Sequence, residues 1–255
     1  MKGSGCKIVN NLNLIILKKY ILLVAVTFAS FMAKAQGGYN YNSFGFGVGA
    51  SYNHPLADLK KGYSDLGYNA NFTYYYNPYV PVVLEFQMGK LRGGGNTVAE
   101  DKDTRRFENK YKALILHVDY QLGDAIDYYR SGFLNILKNF YGGIGVGAMF
   151  NNVDANRFSL IDQGYQFPGK QKTVNLVVPI RFGYEFKIFD YYGVPKFGID
   201  IGYQHNVTFG EGLDGYEDPT SKFKNNAPDQ YRQITIGFKY NFGTEHSYDK
   251  SISGN

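Results

Sequence analysis

The sequence predicts an all-β protein: one eight-stranded antiparallel transmembrane β-barrel, preceded by a cleaved signal peptide. Three observations carry this expectation. Eight segments of about ten residues alternate large apolar side chains with small or polar ones, and Gly, Asn, Asp and Pro clusters separate them. The composition holds 24 Tyr, 20 Phe and 31 Gly but no Trp, a mixture that suits strands, tight turns and crowded interiors better than helices. Aromatic residues also gather at the segment ends, as in Tyr74, Tyr75, Tyr76 and Tyr79, then Tyr128, Tyr129, Phe140 and Tyr141, then Phe189, Tyr191 and Tyr192. Such clusters are expected to form an interfacial girdle.

The first 35 residues are of another kind. Lys2, Lys7, Lys18 and Lys19 precede the apolar run YILLVAVTFASFMA, and AKA leads into Gln36. That run is shorter than the roughly 20 residues a spanning helix needs, so residues 1–35 are expected to be a secretory signal peptide. Its removal takes five Lys and no acid, leaving 22 basic residues against 22 acidic ones. A neutral chain offers no excess of cations to neutralise phosphates, so nucleic acid is not an expected partner. The single cysteine, Cys6, leaves with this segment, and disulfide or thiol chemistry leaves with it.

Taken in order, the segments share one pattern. In 43–52, Phe44, Phe46, Val48, Ala50 and Tyr52 oppose Gly45, Gly47, Gly49 and Ser51. The second, 66–76, leads to 82–92, where Leu84, Phe86 and Met88 oppose Glu85 and Gln87. In 111–122, Leu114, Leu116, Val118 and Tyr120 oppose His117, Asp119 and Gln121. The fifth, 140–151, contains GIGVG, and like GFGVG in the first it lies inside a strand with no following Lys-Ser/Thr, so neither is a phosphate loop. In 174–188, Phe182, Tyr184, Phe186 and Ile188 oppose Arg181, Gly183, Glu185 and Lys187. Pro179 cannot donate to a ladder, which predicts a bulge or a later start there. In 196–206, Phe197, Ile199, Ile201 and Tyr203 oppose Gly198, Asp200, Gly202 and Gln204. In 231–242, Ile234, Ile236, Phe238, Tyr240 and Phe242 oppose Gln233, Thr235, Gly237, Lys239 and Asn241.

Strands of this length match the apolar thickness of an outer membrane, whereas strands of soluble proteins run nearer five or six residues. The large side chains are therefore expected to meet lipid and the small or ionic ones to fill a narrow lumen. The gaps alternate too: 53–65, 93–110, 152–173 and 207–230 are long and expected outside the cell, while 77–81 and 189–195 are tight and each contains Pro. The gap 123–139 departs from the rule, and its GFLNILKN is either a short interfacial helix or part of an extended turn.

This architecture, the glycine–aromatic first strand and the aromatic-ended ITIGFKYNF of the last resemble the small eight-stranded outer-membrane barrels of the OmpA/OmpX type, more specifically PorT-like barrels. The resemblance covers residues 36–243. It implies location in the bacterial outer membrane, contact with its lipid and lipopolysaccharide, reading of strand 234–242 by the barrel assembly machinery, and a link to secretion or to an envelope protein partner. The polar tail 244–255 departs from that pattern.

On the lumen face, Glu85, His117, Asp119, Arg181, Glu185, Lys187, Asp200 and Lys239 are expected to form a hydrogen-bonded ion network that plugs and stiffens the barrel, since charges in a narrow interior must be paired. His117 and Asp119 share a face, as an oriented imidazole base requires, but no serine is placed beside them. His54 and His205 fall near the outer ends of their strands. Lys90 and Lys112 have lipid-facing parity near the outer rim, where they either meet lipopolysaccharide or are simply solvated. Glu211, Asp214, Glu217 and Asp218 match no calcium-loop spacing. No cofactor and no catalytic centre are expected. The leading expectation is a non-enzymatic outer-membrane barrel acting through its loops or periplasmic turns; the alternatives are a rim-sited lipid-modifying enzyme and a soluble secreted barrel with an apolar ligand.

Overall fold

The computed structural model describes residues 40–57, 59–162, 164–210, 212–217 and 229–250. The expected signal peptide, with Cys6, lies outside the described residues, as do Glu211 and Asp218. Nine strands follow in order: β1 (Tyr41–Leu56), β2 (Gly62–Tyr63), β3 (Asp65–Asn77), β4 (Val80–Gly94), β5 (Arg106–Gln121), β6 (Phe140–Ala155), β7 (Lys172–Phe189), β8 (Pro195–Phe209) and β9 (Gln230–His246). The eight long ones pair antiparallel with their chain neighbours, and β1 pairs with β9, which closes the sheet. β2 is a two-residue addition to the outer end of β4.

The register fixes the barrel's tilt. Stepping from Ala50 through Tyr68, Met88, Lys112 and Phe150 reaches Val174 on β7, whereas stepping the other way through Ile236 and Ile201 reaches Tyr184. The ten-residue offset on one strand means that the strands lean by about 40°, so each residue rises about 2.4 Å along the axis. The outward face is apolar around the whole circumference: Phe46 is 51% exposed, Ile236 57% and Val174 65%. A soluble barrel holding an apolar ligand would have the opposite polarity, and an apolar surface this continuous is stable only in lipid.

Inside, glycine makes room for charge. A Cβ on Gly145 would sit 2.5 Å from the Leu116 carbonyl and 2.6 Å from the His117 Cβ, and one on Gly183 would sit 2.6 Å from the Tyr141 hydroxyl. Bare backbone on β6 and β7 thus leaves space for the imidazole and the phenol.

Several expectations need correction. The strands run longer than the alternation indicated, because beyond the apolar zone both faces turn polar and the period fades. Pro179 causes neither a bulge nor a late start. β7 begins at Lys172, and its pairing with β6 stops after Ile144–Ile180 and resumes at Gly147–Val177 in unchanged register. The missing donor thus interrupts the ladder without shifting it. The aromatic girdle is also smaller than expected. Tyr74, Tyr76, Phe140, Phe189, Tyr191 and Tyr192 are exposed, but Tyr75 and Tyr141 have lumen parity and are buried, and Tyr79 and Tyr128 are buried against each other below the barrel.

Tight turns join β3 to β4 and β7 to β8. In the first, the Asn77 side chain accepts the Tyr79 N–H at 2.7 Å; in the second, Asp190 accepts the Tyr192 and Val194 N–H groups, each at 2.9 Å. The longer β5–β6 connection holds a helix, α1 (Gly132–Leu137), capped by Ser131, whose hydroxyl accepts the Leu134 N–H at 3.2 Å. The chain after β9 returns to this connection. Lys250 Nζ donates to the Gly123 carbonyl at 2.7 Å and also to that of Ile126, and the Tyr248 ring stands edge-on to Tyr79 at 5.6 Å.

Candidate functional site: the lumen and the outer rim

All eight charged residues expected on the lumen face point inward, and they form two clusters. Arg181 on β7 is the hub of the first. Its Nη1 lies 3.3 Å from Glu85 Oε2 on β4, its Nε 3.7 Å from Asp119 Oδ1 on β5, and its guanidinium contacts the His117 ring. His117 Nδ1 lies 3.0 Å from Asp119 Oδ1 and its Nε2 lies 3.5 Å from Glu85 Oε2. The Tyr141 hydroxyl, below the guanidinium, donates to Asp200 Oδ1 at 3.1 Å. Asp200 thus enters the network through a phenol.

The second cluster lies toward the tight turns. Lys239 Nζ is 2.9 Å from Glu185 Oε1, and Gln121 Nε2 donates to Glu185 Oε2 at 2.6 Å. Lys187 Nζ donates to Gln121 Oε1 at 2.7 Å and to the Pro78 carbonyl at 2.6 Å, over the face of Tyr79. One arginine and two lysines therefore face four carboxylates, with His117 set between two of the carboxylates. Each charge keeps a partner, which is the condition for holding it in a low-dielectric interior. A cavity of about 50 Å³ remains, bordered by Asn69, Asn71, Glu85, His117, Arg181 and Lys239, and it has room for a few waters.

Toward the loops the lumen changes character, and here the sequence reading missed residues. A tier of amides comes first: Gln233 Nε2 donates to Asn53 Oδ1 at 3.0 Å and to the Tyr111 hydroxyl at 2.9 Å, and Asn109 Nδ2 donates to Asn151 Oδ1 at 2.7 Å. Above it lies an apolar layer that includes Leu91, Phe107, Phe167, Leu213, Tyr216 and Tyr231. The Arg105 and Arg157 guanidiniums flank the Tyr216 ring, 5.7 and 5.8 Å from its centre. The strand residues of this layer share lumen parity with the charged set, which is the signal that could have found them.

Both ring nitrogens of His117 are engaged by charged neighbours, and among the described residues no serine hydroxyl hydrogen-bonds to that ring. Asp214 accepts the Tyr216 N–H at 3.0 Å and Glu217 pairs with Lys170 at 2.9 Å, so these two acids of the last loop are used separately. Among the described residues no group of three or more His, Cys, Asp or Glu could hold a metal ion.

At the rim, Lys90 and Lys112 lie on the outward face just beyond Met88 and Leu114. Lys90 Nζ is 3.3 Å from Glu108 Oε1, whereas Lys112 is exposed beside its cross-strand neighbour Phe150. His54 Nδ1 lies 2.9 Å from the Ser64 hydroxyl, and His205 Nε2 lies 2.9 Å from Gln230 Oε1.

A closed eight-stranded ladder, an apolar outer wall of membrane height and a polar interior define an integral outer-membrane β-barrel of the OmpA/OmpX type. No protein-family model and no curated protein matches the chain. Solved structures of small outer-membrane barrels do. Neisserial surface protein A aligns at 12% identity over 81% of this chain and 100% of its own, with a TM-score of 0.43. The attachment invasion locus protein Ail of Yersinia pestis aligns at 15% over 81% and 99%, with a TM-score of 0.42. OprG from Pseudomonas aeruginosa aligns at 14% over 81% and 99%, with a TM-score of 0.36. At such identities the likeness concerns fold alone, and the assignment rests on the ladder and the polarity of its two faces. The finer resemblance, to PorT-like barrels, is carried by none of these structures.

Proposed function

We propose that this protein is a non-enzymatic outer-membrane barrel with a plugged lumen, acting through its external loops or its periplasmic connection on another component of the envelope. The observation that supports this reading most is the continuous filling of the lumen: ion clusters, amide tier and apolar plug follow one another along the axis. Such an interior suits a rigid scaffold better than a diffusion pore. Envelope maintenance, surface contact and support of secretion all fit a scaffold, and the last is the role that the PorT-like resemblance implies. The outward aromatic row of β9, ending at Phe242, is the proposed signal for the barrel assembly machinery.

Photo-crosslinkers placed within 93–110 and 123–139 in intact cells test this reading. A discrete adduct from either site supports it, and failure at both leaves a passive membrane protein. Conductance across planar bilayers tests the plug, since discrete open-channel steps would contradict it. A rim-sited lipid-modifying enzyme is the second reading, and the His54–Ser64 contact of 2.9 Å is the observation in its favour. An unchanged lipid A profile in cells carrying Ser64→Ala would remove it.

A further inference from the structure

Three outward-facing cationic or imidazole side chains stand side by side across β1, β9 and β8. Arg232 pairs in register with His54 on one flank and with His205 on the other. Directly paired neighbours on one face of a sheet have Cβ atoms about 5 Å apart, so the three groups form one row. The row lies on the lipid side, next along the strands from Tyr52, Ile234 and Tyr203.

Its depth is unusual. On β1 the apolar wall resumes beyond it at Leu56, 39% exposed, and on β8 at Val207 and Phe209, the latter 55% exposed. Four residues at this tilt place Phe209 about 10 Å further out than His205. The guanidinium therefore stands within the outer edge of the apolar zone, where an unmatched charge is costly. Among the described residues no carboxylate pairs with Arg232; Asp65, on β3 beyond β1, is bound by Arg92 through contacts of 2.6 to 3.1 Å. His205 bonds Gln230 through Nε2 and leaves Nδ1 for a ligand, whereas His54 bonds Ser64 through Nδ1 and sets its Nε2 edge beside Gly62, where it closes one flank of the row.

A planar fork of donors flanked by two imidazoles, facing acyl chains with no anion among the described residues, fits a phosphate that hangs from a lipid. We infer that Arg232, with His54 and His205, binds a phosphate group of a phosphorylated outer-leaflet lipid. The inference rests on the outer-membrane reading and adds the ligand class that this wall selects.

The full mature chain, reconstituted in nanodiscs, can be offered bisphosphorylated lipid A, its dephosphorylated form or neutral phospholipid alone, and retained lipid read by native mass spectrometry. Wild type should retain the bisphosphorylated form about tenfold better than the dephosphorylated one. Arg232→Gln and the double variant His54→Gln/His205→Gln should lose that preference, while Lys196→Gln, at the opposite end of β8 and paired with Glu245, should keep it. Equal retention by Arg232→Gln and wild type would overturn the inference, as would displacement by inorganic phosphate with no preference among the lipids. The same nanodiscs show whether the barrel inserts at all. An inserted barrel without phosphate preference refutes only this site, whereas failure to insert refutes the membrane reading.

Discussion

At the scale of single residues, Arg181 holds two carboxylates and an imidazole together in the lumen. Arg181→Met should cost about 3–5 kcal/mol, because it strands the Glu85 and Asp119 charges in a low-dielectric interior. Unfolding by guanidinium in micelles measures this. A loss below about 1 kcal/mol would mean that solvent already screens the cluster. Gly145→Val should cost about 1–3 kcal/mol in the same assay, since its Cβ meets backbone on β5 that cannot move alone. These lumen residues were legible because a charge at every second position beside glycine has few stable settings other than a packed interior. Arg232 was equally legible by parity with Ile234 but was missed, since a lone arginine near a strand end reads as solvated.

At the scale of elements, the β5–β6 connection joins strands, helix and C-terminal chain into one base beneath the barrel. Its helix was one of two expected outcomes. The docking of Tyr248 and Lys250 was not foreseen, because it links residues more than a hundred positions apart through carbonyls that any side chain could expose. Strand ends were misjudged for a related reason. Past the apolar zone, Glu108 and Lys110 alternate with Asn109 and Tyr111, so no hydrophobic period remains to read. Lys138, buried in this base beside the Tyr128 ring, has its amine pulled down to about 8 by desolvation. The folded pKa is below the unfolded one, so charging the amine opposes the docked state at pH 7, and that penalty fades as pH rises through 8 toward the unfolded value. Lys138→Met should therefore slow chymotryptic cleavage within 122–139 at pH 7 and confer a smaller, though still measurable, benefit at pH 9. Equal protection at both values would exclude the buried charge as the cause.

At the scale of the whole molecule, closure and polarity were readable because lipid imposes a strict rule: large apolar residues outward at every second position, on strands long enough to cross. The apolar layer at the outer end was not readable. Leu91, Phe107, Phe167 and Leu213 meet only after the sheet has closed and the outer loops have folded across its mouth. An intact barrel with so complete a ladder should migrate faster unboiled than boiled on a detergent gel, and identical mobility would argue against closure. The most direct measurement places nitroxide labels, one at a time, at Ile234, Ile236, Phe238 and Tyr240 on β9, with one at Asn96 in an outer loop, in reconstituted bilayers. Oxygen should relax the four strand labels more strongly than a water-soluble nickel chelate does, with the preference reversed at Asn96. Water-like accessibility at the strand positions would contradict the membrane-facing wall.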